Sequence, residues 1–203
     1  MFYRPEDGHG LPHDPFKAIV APRPIGWVTT MAADGRLNLA PYSFFNALSS
    51  SPPLVMISSE GEKDSVTFMR ETGEFVANLV GRDFAEAMNT TAIDAPRGVS
   101  EIDVAGLATE PSTTVAPPRV AGVPAALECK VTEIRPAPTL PGAASAPTLI
   151  FGQVTGVHID DAMLTGDGLF DMVKAGNVAR LGYMDYLSIT ETFAMRRPRW
   201  KDR

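Results

Sequence analysis

Six runs of β-branched, aromatic and aliphatic residues follow one another along this chain, at 25–31, 37–40, 54–59, 74–80, 127–134 and 149–159. Few of the gaps between them can hold a helix. Strands that succeed one another without βαβ alternation pair antiparallel, so the pattern predicts a mainly β fold with a few helices, closed or partly closed into a barrel. Asp34-Gly35 between the first two runs marks a hairpin turn, and the Ser49 to Pro53 stretch reads as the break before the third.

The helices expected in this frame are short. Residues 63–70 read as one, with Asp64 or Ser65 as its cap and Gly73 as its stop. Another starts near Asp83, where Asp83 and Glu86 have capping-box spacing and Phe84, Ala87 and Met88 share a side. Residues 171–179 read as a last helix, with Gly176 working against it. Prolines punctuate the rest. Pro5, Pro12, Pro15, Pro22 and Pro24 predict an extended leader over 1–24, and Pro136, Pro138, Pro141 and Pro147 predict a loop between the last two strands. The whole, 1–203, is expected to be one domain with that leader and a basic tail at 196–203.

Composition narrows the function classes. A content of 44% hydrophobic and 21% charged residues supports a packed core and excludes wholesale disorder. Cys129 stands alone, so no internal disulfide or CxxC pair can form. The start has no basic segment leading into an apolar one, and no apolar run reaches the roughly 18 residues of a membrane helix. A cytoplasmic protein without membrane contact is expected. The net charge of −6 has the wrong sign for binding nucleic acid over the whole surface. The tail is the exception: it could contact a polyanion, although a solvated or docked terminus is much the commoner reading.

Several chemistries lack their parts. The glycine clusters Gly8-His-Gly10 and Gly166-Asp-Gly168 have no third glycine and no preceding strand, so a Rossmann domain is not expected, and no Walker A sequence occurs. His9 and His13 stand four apart, but Gly10 and Pro12 spoil the helical geometry that would align them, and no third ligand lies nearby in sequence. No metal site is expected. A GxSxG elbow is absent, and the cysteine lies in a strand-like stretch, where a buried structural thiol is the simpler reading.

Polar residues set inside apolar strand-turn segments are more informative. They occur in Arg23-Pro-Ile-Gly-Trp-Val-Thr-Thr30, in Asn38-Leu-Ala-Pro-Tyr-Ser-Phe-Phe-Asn46 and in Ser58-Ser-Glu-Gly-Glu-Lys-Asp-Ser65. A ligand with an aromatic body and an anionic end needs such parts. Lys63 offers a positive charge, Ser58, Ser59 and Ser65 offer hydroxyls, and the start of the following helix offers amides, a set suited to phosphate. Thr29, Ser43 and Asn46 can meet the polar edge of a ring or its chain. Each residue also has a plain structural reading: Asp64 as a helix cap, Lys63 as a solvated charge, Ser43 and Asn46 as turn residues.

Taken in order, the three blocks resemble the flavin reductase-like family of FMN-binding split-barrel proteins. Val157-His-Ile-Asp-Asp161 and Val178-Ala-Arg-Leu-Gly-Tyr183 resemble later family segments, so the likeness spans about residues 16 to 186. The Pro-Ile-Gly-Trp and Tyr-Ser-Phe-Phe-Asn blocks favour this family over pyridoxamine-phosphate-oxidase-like enzymes. The resemblance implies a six-stranded antiparallel Greek-key split barrel, FMN (with FAD possible) as cofactor, and a homodimer with flavin sites near the shared interface. It makes Arg23, Thr29, Ser43, Asn46, Ser58, Lys63, Ser65 and Arg180 candidate flavin contacts, with Lys63 and Ser65 nearest the phosphate. His158 becomes the candidate catalytic side chain near a nicotinamide or at the dimer edge, although a histidine ending a strand is as often structural. Three activities follow as expectations: an NAD(P)H-dependent FMN reductase supplying a partner monooxygenase, a flavoredoxin-like carrier with an electron-transfer partner, and a non-catalytic flavin-binding protein.

Overall fold

The computed structural model describes residues 1–200. Its strands are β1 (Arg23–Pro24), β2 (Gly26–Met31), β3 (Leu37–Tyr42), β4 (Phe45–Ser50), β5 (Pro53–Ser59), β6 (Glu74–Leu79), β7 (Thr109–Glu110), β8 (Arg119–Val120), β9 (Ala125–Pro136), β10 (Thr148–Ile159), β11 (Val178–Arg180) and β12 (Tyr186–Ser188). Its helices are α1 (Phe16–Ile19), α2 (Asp64–Thr72), α3 (Ala85–Thr90), α4 (Glu101–Val104) and α5 (Met172–Ala175). Seven strands form one antiparallel sheet in the order β3-β2-β6-β9-β10-β5-β4, and β1-β11-β12 form a second, smaller sheet.

The main sheet has one strand more than the six expected. The addition, β4, sits at the edge with mostly exposed residues, so burial imposes no apolar alternation on it; backbone pairing to β5 alone defines it. The sheet curls until β3 approaches β5 across the gap. Gly26 of β2 permits that approach, because a Cβ there would lie 2.7 Å from the Phe45 ring of β4.

Alternation along the strands sends side chains to two cores. Trp27 and Val76 join a cluster with Met88 of α3 and Ile102 of α4, while Val28, Phe75 and Ala77 join one with Val66 and Met69 of α2. Each large side chain so buried contributes about 1.5–3 kcal/mol. Trp27 also carries the order outward: its indole Nε1 donates to Thr91 Oγ1 at 2.8 Å, anchoring the segment that follows α3.

Several local expectations are corrected. The leader is not wholly extended: a 3-10 turn spans Pro5–Asp7, and α1 starts after Pro15, where Asp14 Oδ1 accepts from Phe16 N at 2.9 Å. Proline at a helix start loses no hydrogen bond, so these prolines begin turns as readily as they forbid longer helices. Helix α2 forms and stops at Gly73, which has φ 70°, but neither Asp64 nor Ser65 caps it, since Lys63 holds the N-cap position with no side-chain bond. The expected Asp83 helix begins as a 3-10 turn at Arg82–Phe84 and continues as α3 without a side-chain cap bond at either start. The last helix is cut to α5, capped by Asp171 and ended by left-handed Gly176, after which residues 178–180 pair as a strand. In the basic tail, residues 196–200 are exposed, and residues 201–203 lie outside the described residues.

Candidate functional site

Two clefts meet beside β3. The first, about 370 Å³, has Asn38, Ala40, Pro41 and Tyr42 along one side and Lys63, Asp64 and Ser65 at the start of α2 along another. The segment from Thr91 to Arg97 and Glu101 of α4 complete its wall. The second, about 260 Å³, is lined by Lys17, Arg23, Ser43, Arg180 and Tyr183 among others, and it shares Pro41 and Ala92 with the first. The two clefts therefore adjoin.

A buried polar chain underlies the first cleft. Ser65, 1% exposed, donates its hydroxyl to Asn38 Oδ1 at 2.5 Å, and Asn38 Nδ2 donates to Glu101 Oε2 at 2.8 Å. Leu39 N donates to the same carboxylate oxygen at 3.2 Å. Glu101 accepts only, so it fixes which way the Asn38 amide faces, and that amide in turn takes the Ser65 proton. Tyr42 Oη is buried without a hydrogen-bond partner. Burial pushes its phenol pKa up and keeps it protonated, despite the nearby Ser65 and Ser59 hydroxyls, which act in the opposite sense.

Charge is distributed unequally between the clefts. Most carboxylates around the first already have partners: Glu62 pairs with Arg70 at 3.1 Å, Glu101 holds Asn38, and Asp64 takes Gly98 N at 3.4 Å and Arg97 at 3.8 Å. Lys63 is exposed there and forms no ion pair among the described residues. The second cleft is lined by Lys17, Arg23 and Arg180 and by no Asp or Glu.

The candidate residues fall into three places. Lys63 and Ser65 line the first cleft, and Arg23, Ser43 and Arg180 line the second. Thr29 lies in the core, its hydroxyl accepting from Asn78 Nδ2 at 2.9 Å, and lines neither. Asn46 and Ser58 lie on the β4–β5 hairpin outside both clefts; Asn46 Oδ1 accepts from Ala47 N at 2.9 Å, and the backbone N of Ser58 donates to Phe44 O at 2.8 Å. His158 pairs with Ala126 across β10 and β9 and lines neither cleft. Along the sheet it stands four strands from Pro41, through Ala126, Asn78 and Trp27.

Arg97, Glu101 and Tyr42 were not among the sequence candidates. Tyr42 lay inside a quoted block without a role, and Asn38 showed itself as a polar residue interrupting an apolar run. Arg97 and Glu101 carry no local signal, because the chain returns them to the cleft from beyond α3. Cys129 is buried, and burial together with Glu128 pushes its thiol up to about 12, so it stays neutral and unreactive. Among the described residues no group of three His, Cys, Asp or Glu could hold a metal ion, and no helix is long and apolar enough to cross a membrane.

Known proteins match this arrangement over most of its length. An uncharacterized protein of Aquifex aeolicus is 35% identical over 174 residues, covering 83% of this chain and 85% of its own. Nitrilotriacetate monooxygenase component B from Bacillus cereus superposes with a TM-score of 0.86 at 27% identity, covering 96% of this chain and 98% of its own. A split barrel domain from Shewanella frigidimarina NCIMB 400 superposes with a TM-score of 0.81 over 90% of each chain, a likeness in fold alone at 20% identity. The model of the flavin reductase like domain matches residues 20–175, and the chain belongs to that family.

Proposed function

We propose that the protein is an FMN-binding oxidoreductase that takes hydride from NAD(P)H and supplies reduced flavin to a partner oxygenase. The observation that carries this reading is the placing of Lys63 and Ser65 in one cleft, adjoined at Pro41 and Ala92 by the cleft of Arg23, Ser43 and Arg180. Lys63 and the first-turn amides of α2 suit a phosphate, and the neighbouring carboxylates do not compete for Lys63 because most are engaged elsewhere. Ser65 has given its proton to Asn38, so its remaining capacity is to accept, which fits a ribityl hydroxyl better than a phosphate oxygen. A ring held over Pro41 and Ala92 would lie along the wall that the two clefts share, with the cations of the second cleft beyond it.

Bound FMN would supply the acceptor for hydride from reduced nicotinamide. This chain's part is then to hold the two rings against each other and to stabilise negative charge on the reduced one. The likeness to a monooxygenase component B supports a partner oxygenase. A homodimer in the cytoplasm belongs to the same proposal, as does a transient rather than resident nicotinamide, since no Rossmann fingerprint is present. The alternative, a carrier that keeps its flavin and exchanges electrons with protein partners, differs in turnover.

Absorption spectra of freshly purified protein, before and after anaerobic NADH or NADPH, test the proposal. Flavin bands that bleach with either donor, and fast donor oxidation with excess free FMN, are expected. Protein that neither carries nor binds added FMN or FAD would overturn it, and tight flavin with negligible donor oxidation would select the carrier.

A further inference from the structure

Among the described residues, no carboxylate lines the second cleft or forms an ion pair with its cations. Arg23 of β1 and Arg180 of β11 are direct partners in the strand register, an arrangement of like charges that costs stability. Arg23 is only 6% exposed, its Nε has no hydrogen-bond partner, and its terminal nitrogens go to the neutral carbonyls of Lys17, Val20 and Leu181. Burial, and then Arg180, hold the Arg23 guanidinium below its ordinary pKa, which is the mark of a cation short of counter-charge. Arg180 donates to Tyr183 O at 2.5 Å and lies 4.3 Å from the Tyr186 ring, while Lys17 adds a third charge at the rim, 5.6 Å from the Phe44 ring.

The walls are as distinctive as the charge. Tyr183 has φ 56°, a left-handed conformation that a bulky residue adopts only where its surroundings enforce it, here a turn closed by Leu181 N to Asp185 O and Asp185 N to Gly182 O, each 3.0 Å. That turn leaves the Tyr183 side chain half exposed on the cleft margin, with Tyr186 beside it. A space of about 260 Å³ holds a one-ring acid but not a whole dinucleotide.

We infer that this cleft binds a planar aromatic carboxylate, its anionic end between Arg180 and Lys17 and its ring against Tyr183 and Tyr186, as a second substrate beside the flavin. The missing counter-charge then arrives with the ligand, and the shared Pro41 and Ala92 wall brings its ring next to the first cleft. The role as second substrate rests on the flavin reading; the binding itself does not.

Calorimetric titration of the purified chain with benzoate, with and without FMN and at low salt, tests it. Benzoate should bind, and benzamide, the neutral isostere, should bind at least about tenfold more weakly. Arg180→Ala should lose about tenfold in benzoate affinity and Lys17→Ala about threefold, with benzamide unaffected in both. Because Arg180 also pairs β1 with β11, thermal melts accompany each variant, and Lys17→Ala, at an exposed position of the short helix α1, keeps the test open if Arg180→Ala does not fold. Equal binding of benzoate and benzamide would overturn the inference, as would wild-type benzoate affinity in a folded Arg180→Ala. Competition between FMN and benzoate would also overturn it by giving the cleft to the flavin. FMN binding without any benzoate response removes this site alone, whereas benzoate binding without FMN binding removes the flavin reading and leaves the carboxylate site standing.

Discussion

Lys63 and Arg97 both line the first cleft, but their charges are not equally available. Lys63 has no carboxylate partner among the described residues, while Arg97 shares Asp64 at 3.8 Å and is largely solvated. Lys63→Ala should therefore weaken FMN binding by about 1.5–3 kcal/mol, roughly tenfold to a hundredfold in dissociation constant, with riboflavin binding little changed. Arg97→Ala should shift FMN in the same direction by less, since a screened surface charge contributes about 0–1 kcal/mol. Fluorescence titrations with both ligands decide this, and equal losses for FMN and riboflavin would move the phosphate elsewhere. Lys63 and Ser65 were legible in the sequence because a cation, a hydroxyl and a helix start stand within three residues. Glu101 was not, because its bond to Asn38 spans 63 positions and neither residue's neighbours foretell it.

At the scale of elements, the strands could be read wherever both faces are buried or alternate, as in β2, β6, β9 and β10, and the chain stops α2 where Gly73 stands. Edge pairing was illegible in β4, and so was the segment from residue 91 to 123, whose order comes from contacts made at a distance. Glu128 of β9 shows how. Its side chain, 4% exposed, accepts from Thr113 N at 2.9 Å, Thr114 N at 2.6 Å and Thr114 Oγ1 at 2.7 Å, pinning that loop to the sheet. Burial would raise its pKa, but these three bonds and Arg119 outweigh it and hold the carboxyl below its ordinary 4.5. A depressed folded-state pKa means that the stability it contributes is present above the unfolded value and is lost as pH falls through the folded one. Glu128→Gln should cost about 1–3 kcal/mol at neutral pH and flatten the acid limb of a stability-against-pH curve below 4.5. Denaturant melts of both proteins from neutral to acid pH measure this, and parallel acid limbs would clear Glu128 of the role.

The whole molecule raises a question that one protomer does not answer, because His158 lies four strands from the clefts within its own chain. The segment around it exposes an unusual amount of apolar surface. Val157 is 60% and Leu169 63% exposed, with Leu164, Met172 and Val173 also open, and Val157 and Ile159 emerge on the face of β10 opposite His158. Residues of this kind gathered over one short stretch mark an interaction surface more readily than a wet one. In the proposed homodimer this surface is covered by a second copy. Val157→Lys with Leu169→Lys should then shift the protein toward monomer and lower flavin occupancy together, because each added charge must be desolvated in the interface. Wild-type flavin retention should likewise fall on dilution. Sedimentation velocity over a dilution series, with flavin fluorescence recorded on the same samples, follows both quantities at once. A wild-type monomer with full flavin affinity would end the dimer proposal and leave His158 a structural residue of β10, while a dimer that the double variant leaves intact would place the interface on another face.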